Sequence, residues 1–474
     1  MKAEPISKKI SAVVDTLSAD LLTPLSVYLK LAHSGASSFL LESVEGGETL
    51  ARYSFVGVDP EFVVSGGDQS VNVTRNGSSK TIPVSMLNFL RDELSSVELD
   101  AEAGMPPFMG GAIGYMGFDC CGWFEPKLRP GSEPISEFMF FRSIVAFDHV
   151  KQIVRLISLQ VETDEPSLAK SRNAELRRSL EDSRLDVPRN ASEETNKRVT
   201  SNWERPDFES AVLQIKEMIN AGEAYQVVLS QCFTRHTNAS PVAIYRAVRS
   251  LNPSPYLFLL QIGERSIIGA SPEMLVKCTD GRLEYRPIAG TRPRGKTPAE
   301  DNAFAEEMRL DEKEVAEHMM LVDLGRNDLG RVAEYGSVNV DALMNVEKYS
   351  HVQHLVSALS AKLRRGMHRF DALAACFPAG TVSGAPKVRA IEIIRDLEPT
   401  KRGVYAGAVG HFDYTGNMDM CIAIRTLVIE NGVATIQAGA GIVADSVPEL
   451  EFEETVNKAK VMLRAIEIAE DEGF

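Results

Sequence analysis

The chain has 474 residues, of which 44% are hydrophobic and 25% are charged, a composition typical of a soluble globular protein. Its formal net charge of −15 argues against a general nucleic-acid-binding protein, which would present a basic surface. No stretch approaches the roughly 20 apolar residues that a membrane-spanning helix needs. These properties favour a soluble globular protein.

The cysteines and the N-terminus indicate a cellular compartment. The six cysteines form no C-x-x-C pair, which favours free thiols in a reducing environment. Residues 1–19 lack the apolar core of a secretion signal. We therefore expect a cytoplasmic protein that binds neither nucleic acid nor membrane.

The first third of the chain carries mostly strand patterns. Turn signals such as Asn76-Gly77 separate short runs rich in β-branched and aromatic residues. The predicted strands cover residues 52–58, 61–64, 70–74, 138–141, 144–147 and 153–157. The predicted helices cover residues 24–33, 84–95 and 168–180.

A polar segment over residues 186–204 contains Pro188 and few apolar side chains, so it predicts a linker. The linker divides the chain into an N-terminal region over 1–185, which packs on the core, and a C-terminal domain over 205–474. This boundary is the main division that the composition indicates.

The C-terminal part alternates between groups of helices and groups of strands. The predicted helices cover residues 207–221, 299–324, 351–363, 369–376, 387–397 and 450–468. The predicted strands cover residues 225–230, 256–261, 265–268, 282–285, 403–413 and 420–429. Asp207 is the expected N-cap of the first helix. Because like elements follow one another, the pattern predicts an α+β protein with mostly antiparallel sheets.

Two pairs of glutamates share one spacing. Glu314 and Glu317 lie three residues apart on a predicted helix, and Glu451 and Glu454 repeat this spacing on the terminal helix. Residues at this spacing share a helix face, with Cβ atoms about 5–6 Å apart. If the two faces meet across a cleft, they offer oxygen ligands for Mg²⁺, which needs only one or two protein carboxylates. The alternative is a pair of solvated surfaces.

Two glycine-rich segments are further candidates for the binding site. The segment 377–387 lies between predicted helices, and its Thr381 and Ser383 offer hydroxyl groups near a helix N-terminus that favours anions. Its spacing excludes a P-loop. Gln437-Ala-Gly-Ala-Gly441 ends a predicted strand and is typical of a backbone site for a carboxylate. Structural turns are the alternative for both segments.

Three further side chains have a chemical and a structural interpretation. Arg425, inside a predicted strand, can clamp a carboxylate in a bidentate manner, or it can lie at a sheet edge. Lys458 follows Glu454 by four residues, so an ion pair within the helix explains it equally well. His354, on a predicted helix face with His351, suits proton transfer near neutral pH or a place in the core. Zinc would need further ligands.

Taken together, these motifs resemble the chorismate-utilising enzymes, and within them the large subunits (component I) of anthranilate synthases. The resemblance covers nearly the whole chain and is densest over residues 226–463. The motifs that carry it are Leu40-Leu-Glu-Ser43, Arg52-Tyr-Ser-Phe55, Gln226-Val-Val-Leu-Ser230, Pro287-Ile-Ala-Gly-Thr-Arg-Pro-Arg294 and residues 317–328. The resemblance implies an α/β sandwich of antiparallel sheets flanked by helices. It also implies that 205–474 is the catalytic domain, with a site for chorismate and Mg²⁺.

The resemblance also implies roles, carried over by motif position. The metal ligands would be Glu317 and Glu454, with Glu314 and Glu451 close behind. The substrate's carboxylates and enolpyruvyl group would be held by Gly290, Thr291, Tyr405, Arg425, Gly439, Ala440, Gly441 and Lys458. His354 and Thr381 would act near the reacting ring as catalytic residues.

Two positions distinguish members of the family. Gln226 stands where water-using relatives place a lysine, and a neutral amide cannot activate water as a general base. Ala289 stands where aminodeoxychorismate synthases usually carry a nucleophilic lysine. Both differences favour free ammonia as the nucleophile and anthranilate and pyruvate as the products. The alternatives are an aminodeoxychorismate synthase component I and a non-catalytic tryptophan-binding subunit.

The source of ammonia must lie outside the chain. None of the six cysteines has the Gly-x-Cys-x-Gly surroundings of a glutaminase nucleophile. The resemblance therefore implies a separate glutamine amidotransferase subunit (component II) in a heterotetramer. It further implies a regulatory role for the N-terminal region and feedback inhibition by tryptophan, at a site formed by Glu42, Ser43, Pro255, Tyr256 and Leu257. Ordinary core and turn packing is the alternative for these five residues.

Overall fold

The structure is a computed structural model that describes residues 8–33, 36–43, 52–95, 97–99, 104–128, 136–182, 197–349 and 352–471. Its strands are β1 Lys8–Ser18, β2 Ser38–Glu42, β3 Tyr53–Val58, β4 Phe62–Gly66, β5 Val71–Arg75, β6 Ser78–Ile82, β7 Val97–Leu99, β8 Gly111–Met116, β9 Ser136–Phe141, β10 Ser143–Asp148, β11 Ile153–Val161, β12 Thr200–Ser201, β13 Gln226–His236, β14 Tyr256–Ile262, β15 Arg265–Ser271, β16 Met274–Thr279, β17 Arg282–Tyr285, β18 Ile288–Pro293, β19 Asn339–Lys348, β20 Val352–Lys362, β21 Gly384–Ala385, β22 Ala408–Asp413, β23 Met418–Ile422, β24 Thr426–Glu430 and β25 Val433–Ile442.

The helices lie mostly in the second half of the chain. They are α1 Pro24–Leu31, α2 Met86–Ser95, α3 Cys121–Phe124, α4 Leu168–Asp182, α5 Arg205–Asn220, α6 Pro241–Leu251, α7 Pro298–Leu310, α8 Glu312–Gly330, α9 Arg369–Cys376, α10 Gly380–Ser383, α11 Lys387–Leu397 and α12 Pro448–Asp471. Two short 3₁₀ turns cover Phe118–Cys120 and Pro126–Leu128. Within the described ranges, no helix is long and apolar enough to cross a membrane.

Three of the helices begin in the same way, with a hydroxyl residue followed by proline. The side chains of Thr23, Ser240 and Thr297 each accept a hydrogen bond from the backbone N–H group three residues later. This bond satisfies one of the free N–H groups of the first turn. The proline that follows lacks an N–H and has the helical φ already fixed.

The strands form two large, almost entirely antiparallel sheets. The first sheet has the order β12-β13-β25-β24-β15-β14-β2-β3-β10-β11-β1-β7, with β21 paired to β13. The second has the order β18-β20-β17-β16-β23-β22-β8-β9-β4-β5-β6, with β19 paired to β20. Both sheets contain strands from each side of the predicted linker. For example, β2 pairs with β14, and β8 pairs with β22.

The two sheets pack face to face, and helices cover their outer faces. Between the sheets, Phe39 of β2 and Phe141 of β9 meet with ring centroids 4.8 Å apart. Helices α1, α6 and α12 bury apolar side chains on the first sheet. Helices α2, α9 and α11 belong to the apolar cluster that includes the second sheet. The predicted α+β sandwich is therefore confirmed.

The prediction of a helix over 351–363 is wrong, because residues 352–362 form strand β20. This strand pairs with β17, β18 and β19. Both of its faces are largely buried, so the apolar residues do not alternate cleanly and their spacing also suits a helix. His354 consequently lies on a strand, and its predicted neighbour His351 lies outside the described residues.

Other boundaries also differ from the predictions. The helix over 299–324 is two helices, α7 and α8, separated at Asp311, whose backbone is extended. Asp207 lies in the first turn of α5, and the N-cap is Glu204. Residues 186–196 of the predicted linker lie outside the described residues, so the domain boundary stays a prediction.

Candidate active site

A cavity of about 640 Å³ lies where the two sheets meet helices α8 and α12. Its wall includes residues of β13, β18, β25, α8, α10 and α12. The predicted site residues that line it are Thr291, Glu317, Thr381, Tyr405, Arg425, Gly439, Gly441, Glu451, Glu454 and Lys458. Residues that were far apart in sequence therefore share one concave surface.

Four residues predicted to bind substrate or metal or to act in catalysis do not line this cavity. Ala440 is fully buried on the opposite side of β25. Gly290 and His354 lie one layer behind Thr291, and Glu314 accepts a hydrogen bond from Arg292 at 3.1 Å. The roles predicted for these four residues, and for those that line the cavity, stay predictions.

Glycines in β25 make room for two side chains that enter the cavity. The segment 437–441 lies in the last part of strand β25, in line with the prediction that it ends a strand, and does not form the alternative structural turn. A Cβ atom at Gly439 would lie 2.7 Å from the Tyr405 hydroxyl oxygen, and one at Gly441 would lie 2.6 Å from Nε2 of Gln226. Strand β24 pairs with β25 only as far as residue 436. The remaining part of β25 therefore presents one backbone edge to the cavity.

Lys458 connects this edge to helix α12. Its Nζ lies 2.6 Å from a carboxylate oxygen of Glu454 and donates a hydrogen bond to the Gly439 carbonyl at 2.9 Å. Lys458 thus forms the ion pair within the helix and also lines the cavity. The ammonium group supplies positive charge beside Gly439 and Gly441, the two positions of this strand edge that have no side chain.

Helices α8 and α12 bring the acidic residues of both pairs to one cavity. Glu317 comes from α8, whereas Glu451 and Glu454 come from α12. Among the described residues, no three acidic, His or Cys side chains form a preformed metal cluster. The donor set nevertheless fits a hard cation such as Mg²⁺, because that ion needs only one or two protein carboxylates and keeps waters or substrate oxygens.

Arg425 lies between the two sheets and not inside a strand. Strand β23 belongs to the second sheet and β24 to the first, and Arg425 occupies the connection with a φ of 49°. A left-handed backbone is uncommon for a residue other than glycine. Burial lowers the pKa of its guanidinium, while Tyr405 and Glu454 act in the opposite direction. The connection places a partly buried cation in the wall of the cavity.

Sequence reasoning missed Glu273, a carboxyl group in the same cavity. It lies between β15 and β16, is 7% exposed, and its backbone carbonyl accepts from the Ile422 N–H at 3.0 Å. Burial raises the pKa of Glu273 to about 8, although Thr381 and Lys458 act to lower it. The carboxyl is therefore protonated near pH 7 and can donate a proton.

The hydroxyl of Thr381 lies beside Glu273 at the start of α10. Its oxygen is buried, yet it has no hydrogen-bond partner of good geometry in the described part of the chain. A buried polar atom without a partner is rare in folded proteins. This atom is consistent with a polar ligand that completes the site.

His354 faces Thr291 across the pairing of β18 and β20. Its Nδ1 lies 2.9 Å from the carbonyl oxygen of Gly290. A carbonyl only accepts, so Nδ1 carries the proton and Nε2 has the free lone pair. Burial lowers the pKa of His354, and the charge of Arg425 acts in the same direction. The imidazole is therefore neutral near pH 7.

The five residues predicted to bind an inhibitor lie together where β2 pairs with β14. Leu257 stands opposite Glu42 in the register, and the buried Glu42 carboxylate accepts from the Tyr245 hydroxyl at 2.5 Å. Nε of Arg249 lies 3.1 Å from the same carboxylate oxygen. The Tyr256 hydroxyl donates a hydrogen bond to the Asp419 carboxylate at 3.1 Å. This cluster is separate from the cavity lining.

Comparison with known proteins gives one consistent result. The chorismate binding enzyme family matches residues 37–464. The chain is 45% identical over 468 residues to anthranilate synthase component 1 of Acetivibrio thermocellus, covering 95% of this chain and 94% of that protein. It is 43% identical over 466 residues to the Pseudomonas aeruginosa protein of the same name, with coverage of 95% and 94%.

Solved structures share the fold. Anthranilate synthase component I from Streptococcus pneumoniae is 35% identical, with a TM-score of 0.79 and coverage of 94% of this chain and 99% of that one. The isochorismate synthase MenF from Escherichia coli is 20% identical, with a TM-score of 0.73 and coverage of 98% and 95%, and shows the fold alone. From its sequence, its fold and its cavity, the chain belongs to the chorismate-binding enzyme family.

Proposed function

We propose that the chain is the large subunit of an anthranilate synthase, which converts chorismate and ammonia into anthranilate and pyruvate in tryptophan biosynthesis. One observation carries this choice within the family. Gln226 and Ala289 line the same cavity as the protonated Glu273. The site thus has an acid for a leaving hydroxyl, but neither position 226 nor position 289 offers a base for water or a nucleophilic amine. The relatives named above support the same activity.

The first step adds ammonia to ring C2 while the C4 hydroxyl leaves. Glu273 gives its proton to this hydroxyl, which departs as water, and a protonated carboxyl suits this role because hydroxide is a poor leaving group. Arg425 and Lys458 supply positive charge for the two carboxylates of chorismate. Thr381, beside Glu273, offers its buried hydroxyl to the ring.

The second step removes the proton at C2 and eliminates pyruvate, which makes the ring aromatic. His354 is the candidate for handling a proton near the ring, because its Nε2 has a free lone pair while Nδ1 is held by Gly290. The Thr291 hydroxyl contacts the protonated Nδ1 at 3.1 Å, so the proton from C2 would go to Nε2 and not through this hydroxyl. The resulting imidazolium would be short-lived in a buried site beside Arg425.

Mg²⁺ is the proposed cofactor. Glu317 and Glu454 would hold it, with Glu451 in the same cavity and Glu314 on the same helix as Glu317. When bound, the ion supplies positive charge that offsets and orients the ring carboxylate of the substrate. Lys458 keeps Glu454 in place through their ion pair.

A glutamine amidotransferase subunit, component II, is the proposed source of ammonia, in a heterotetramer with this chain. The support is the resemblance, together with the lack of a glutaminase motif around any of the six cysteines. The isolated chain should therefore depend on added ammonium salts. Activity with glutamine alone would contradict this part of the proposal.

Tryptophan is the proposed feedback inhibitor, bound at the cluster of Glu42, Ser43, Pro255, Tyr256 and Leu257. Its support is the family resemblance and the convergence of these five residues at the β2–β14 pairing. The proposal predicts that tryptophan inhibits the enzyme and that Ser43→Leu weakens this inhibition. Inhibition that is absent, or that survives the substitution unchanged, would contradict it.

The decisive experiment incubates the purified chain with chorismate, MgCl₂ and ammonium chloride. We expect fluorescent anthranilate and an equal amount of pyruvate. Formation of 4-amino-4-deoxychorismate would identify an aminodeoxychorismate synthase instead. Chorismate binding without any product would indicate the non-catalytic alternative.

A further inference from the structure

A single buried guanidinium contacts two separate walls of the cavity from behind. The side chain of Arg402 is 1% exposed and does not line the cavity. Its Nη1 donates to the carbonyl of Val382 at 2.7 Å, and its Nη2 donates to the carbonyl of Val228 at 2.7 Å. Val382 follows Thr381 in α10, and Val228 lies on β13, so Arg402 joins these two elements.

The counter-charge of Arg402 extends the contact to a third wall. Glu398 accepts from Nε at 2.9 Å and from Nη2 at 2.6 Å, and it is 3% exposed. The same carboxylate accepts from the N–H and the hydroxyl of Ser230, at 2.8 and 2.7 Å. Gln437, which lines the cavity, donates to the Ser230 hydroxyl at 2.8 Å. The network therefore also fixes a side chain of β25.

Arg402 also packs on an aromatic ring that enters the site. Its guanidinium carbon lies 5.5 Å from the ring centroid of Tyr405 and 4.5 Å from that of Phe118. Contacts of this kind hold a planar cation over a ring face. The hydroxyl of Tyr405 reaches the space that a side chain at position 439 would occupy. One guanidinium thus restrains Tyr405 as well as the two backbone carbonyls.

We propose that Arg402 is a positioning residue for the reaction, which holds Thr381, Tyr405 and Gln437 in register around the Glu273 carboxyl. This inference rests on the proposed function. The inference is supported by three contact partners of Arg402, Val382 in α10, Val228 in β13 and Tyr405, each of which lines the cavity. A purely structural ion pair would show no such bias.

The chain offers such a pair for comparison. Arg235 and Glu470 are also buried, with side chains 2% and 4% exposed, and form an ion pair between β13 and α12. This pair lies at the end of β13 far from residue 228, and neither partner lines the cavity. Arg235→Lys therefore controls for the loss of stability that follows when a buried arginine is shortened.

Lysine cannot reproduce the contacts of Arg402. Its ammonium is a single point with three donors, whereas the planar guanidinium spreads five donors over a fixed fork. In Arg402→Lys, at least one of the carbonyls of Val382 and Val228 therefore loses its partner. We expect kcat/KM for chorismate to fall on the order of 10- to 100-fold, as small misplacements in a site do.

The test compares Arg402→Lys with Arg235→Lys in the ammonia-dependent reaction, with melting temperatures measured for both. We expect a lower melting temperature in both variants, but a decrease in kcat/KM only in Arg402→Lys. Its pH profile should also move to higher pH, because Thr381 and Lys458 lower the pKa of Glu273 and a displaced Thr381 does so less. Tyr285 is the other titratable group facing Glu273. Values of kcat/KM within about twofold of one another in the two variants would overturn the proposal.

Ser230→Ala keeps the proposal testable if Arg402→Lys does not fold. It removes the hydroxyl that links Glu398 to Gln437 and leaves the buried ion pair of Arg402 and Glu398 in place. We expect a smaller loss of kcat/KM, roughly 3- to 10-fold by the same misplacement argument. Unchanged kcat/KM in this variant would overturn the proposal. If the wild-type chain binds chorismate without making anthranilate, the proposed function fails, and calorimetric dissociation constants for chorismate in the same variants still test the positioning.

Discussion

At the scale of single residues, Glu273 is a buried carboxyl of the cavity that carries a proton near pH 7. Its pKa of about 8 keeps the proton in place at pH 7, and the acid loses it as the pH rises through 8. We expect kcat/KM for chorismate to fall above about pH 8 when the concentration of free ammonia is held constant. A rate that stays level up to pH 10 would contradict the role of proton donor.

Replacement of Glu273 by glutamine tests whether its proton is needed. Glu273→Gln keeps the shape but cannot protonate the leaving hydroxyl, so we expect kcat to fall by roughly 10²- to 10⁴-fold. Chorismate binding, measured by calorimetry, should persist. Glu264→Gln, in the exposed β14–β15 turn, is the control and should leave both quantities unchanged.

His354 gives a second prediction at this scale. His354→Ala should lose most turnover while still folding and binding chorismate, because the substitution removes the proton acceptor and leaves the cavity lining in place. Circular dichroism and calorimetry check the fold and the binding. Turnover close to that of the wild type would refute the role.

At the scale of elements, the convergence of α8 and α12 predicts how the glutamates differ. Glu317→Gln and Glu454→Gln should weaken Mn²⁺ binding, measured by electron paramagnetic resonance without substrate, by at least roughly 10-fold. Glu314→Gln should have a smaller effect, because Glu314 lies outside the cavity and pairs with Arg292. Equal losses in all three variants would contradict this order.

Elements with clear local signals were predictable from the sequence. The helices over 369–376 and 387–397 begin and end where predicted. Strand β20 was not predictable, because burial on both faces removes the alternation that identifies a strand. Arg425 was placed inside a strand because the apolar runs before and after it look continuous, although the chain changes sheets there.

The site was predictable only in part for a related reason. The glutamate pairs and glycines recur at spacings that a sequence displays. Glu273 is a lone carboxylate after Ser271-Pro272, and its burial comes from packing that involves distant parts of the chain. A sequence shows the residue type, but the shifted pKa depends on tertiary structure.

At the scale of the whole molecule, strands from both halves of the chain share each sheet. The β2–β14 and β8–β22 ladders join five and six residue pairs across the predicted boundary. Because neither half has a complete sheet without the other, we expect one cooperative unfolding transition in differential scanning calorimetry. Two separate transitions would show instead that the regions 1–185 and 205–474 fold independently.

The position of Arg425 has a mechanical consequence. Its backbone carbonyl accepts from Ala270 of the first sheet, while Ala423, two residues earlier, hydrogen bonds to the segment that leads into the second. The guanidinium is therefore carried by a backbone segment that is hydrogen bonded to both sheets. Any slide of one layer past the other displaces this cation, even when every side chain within each layer keeps its neighbours. A substrate anion bound to Arg425 would in turn restrain the two sheets against sliding.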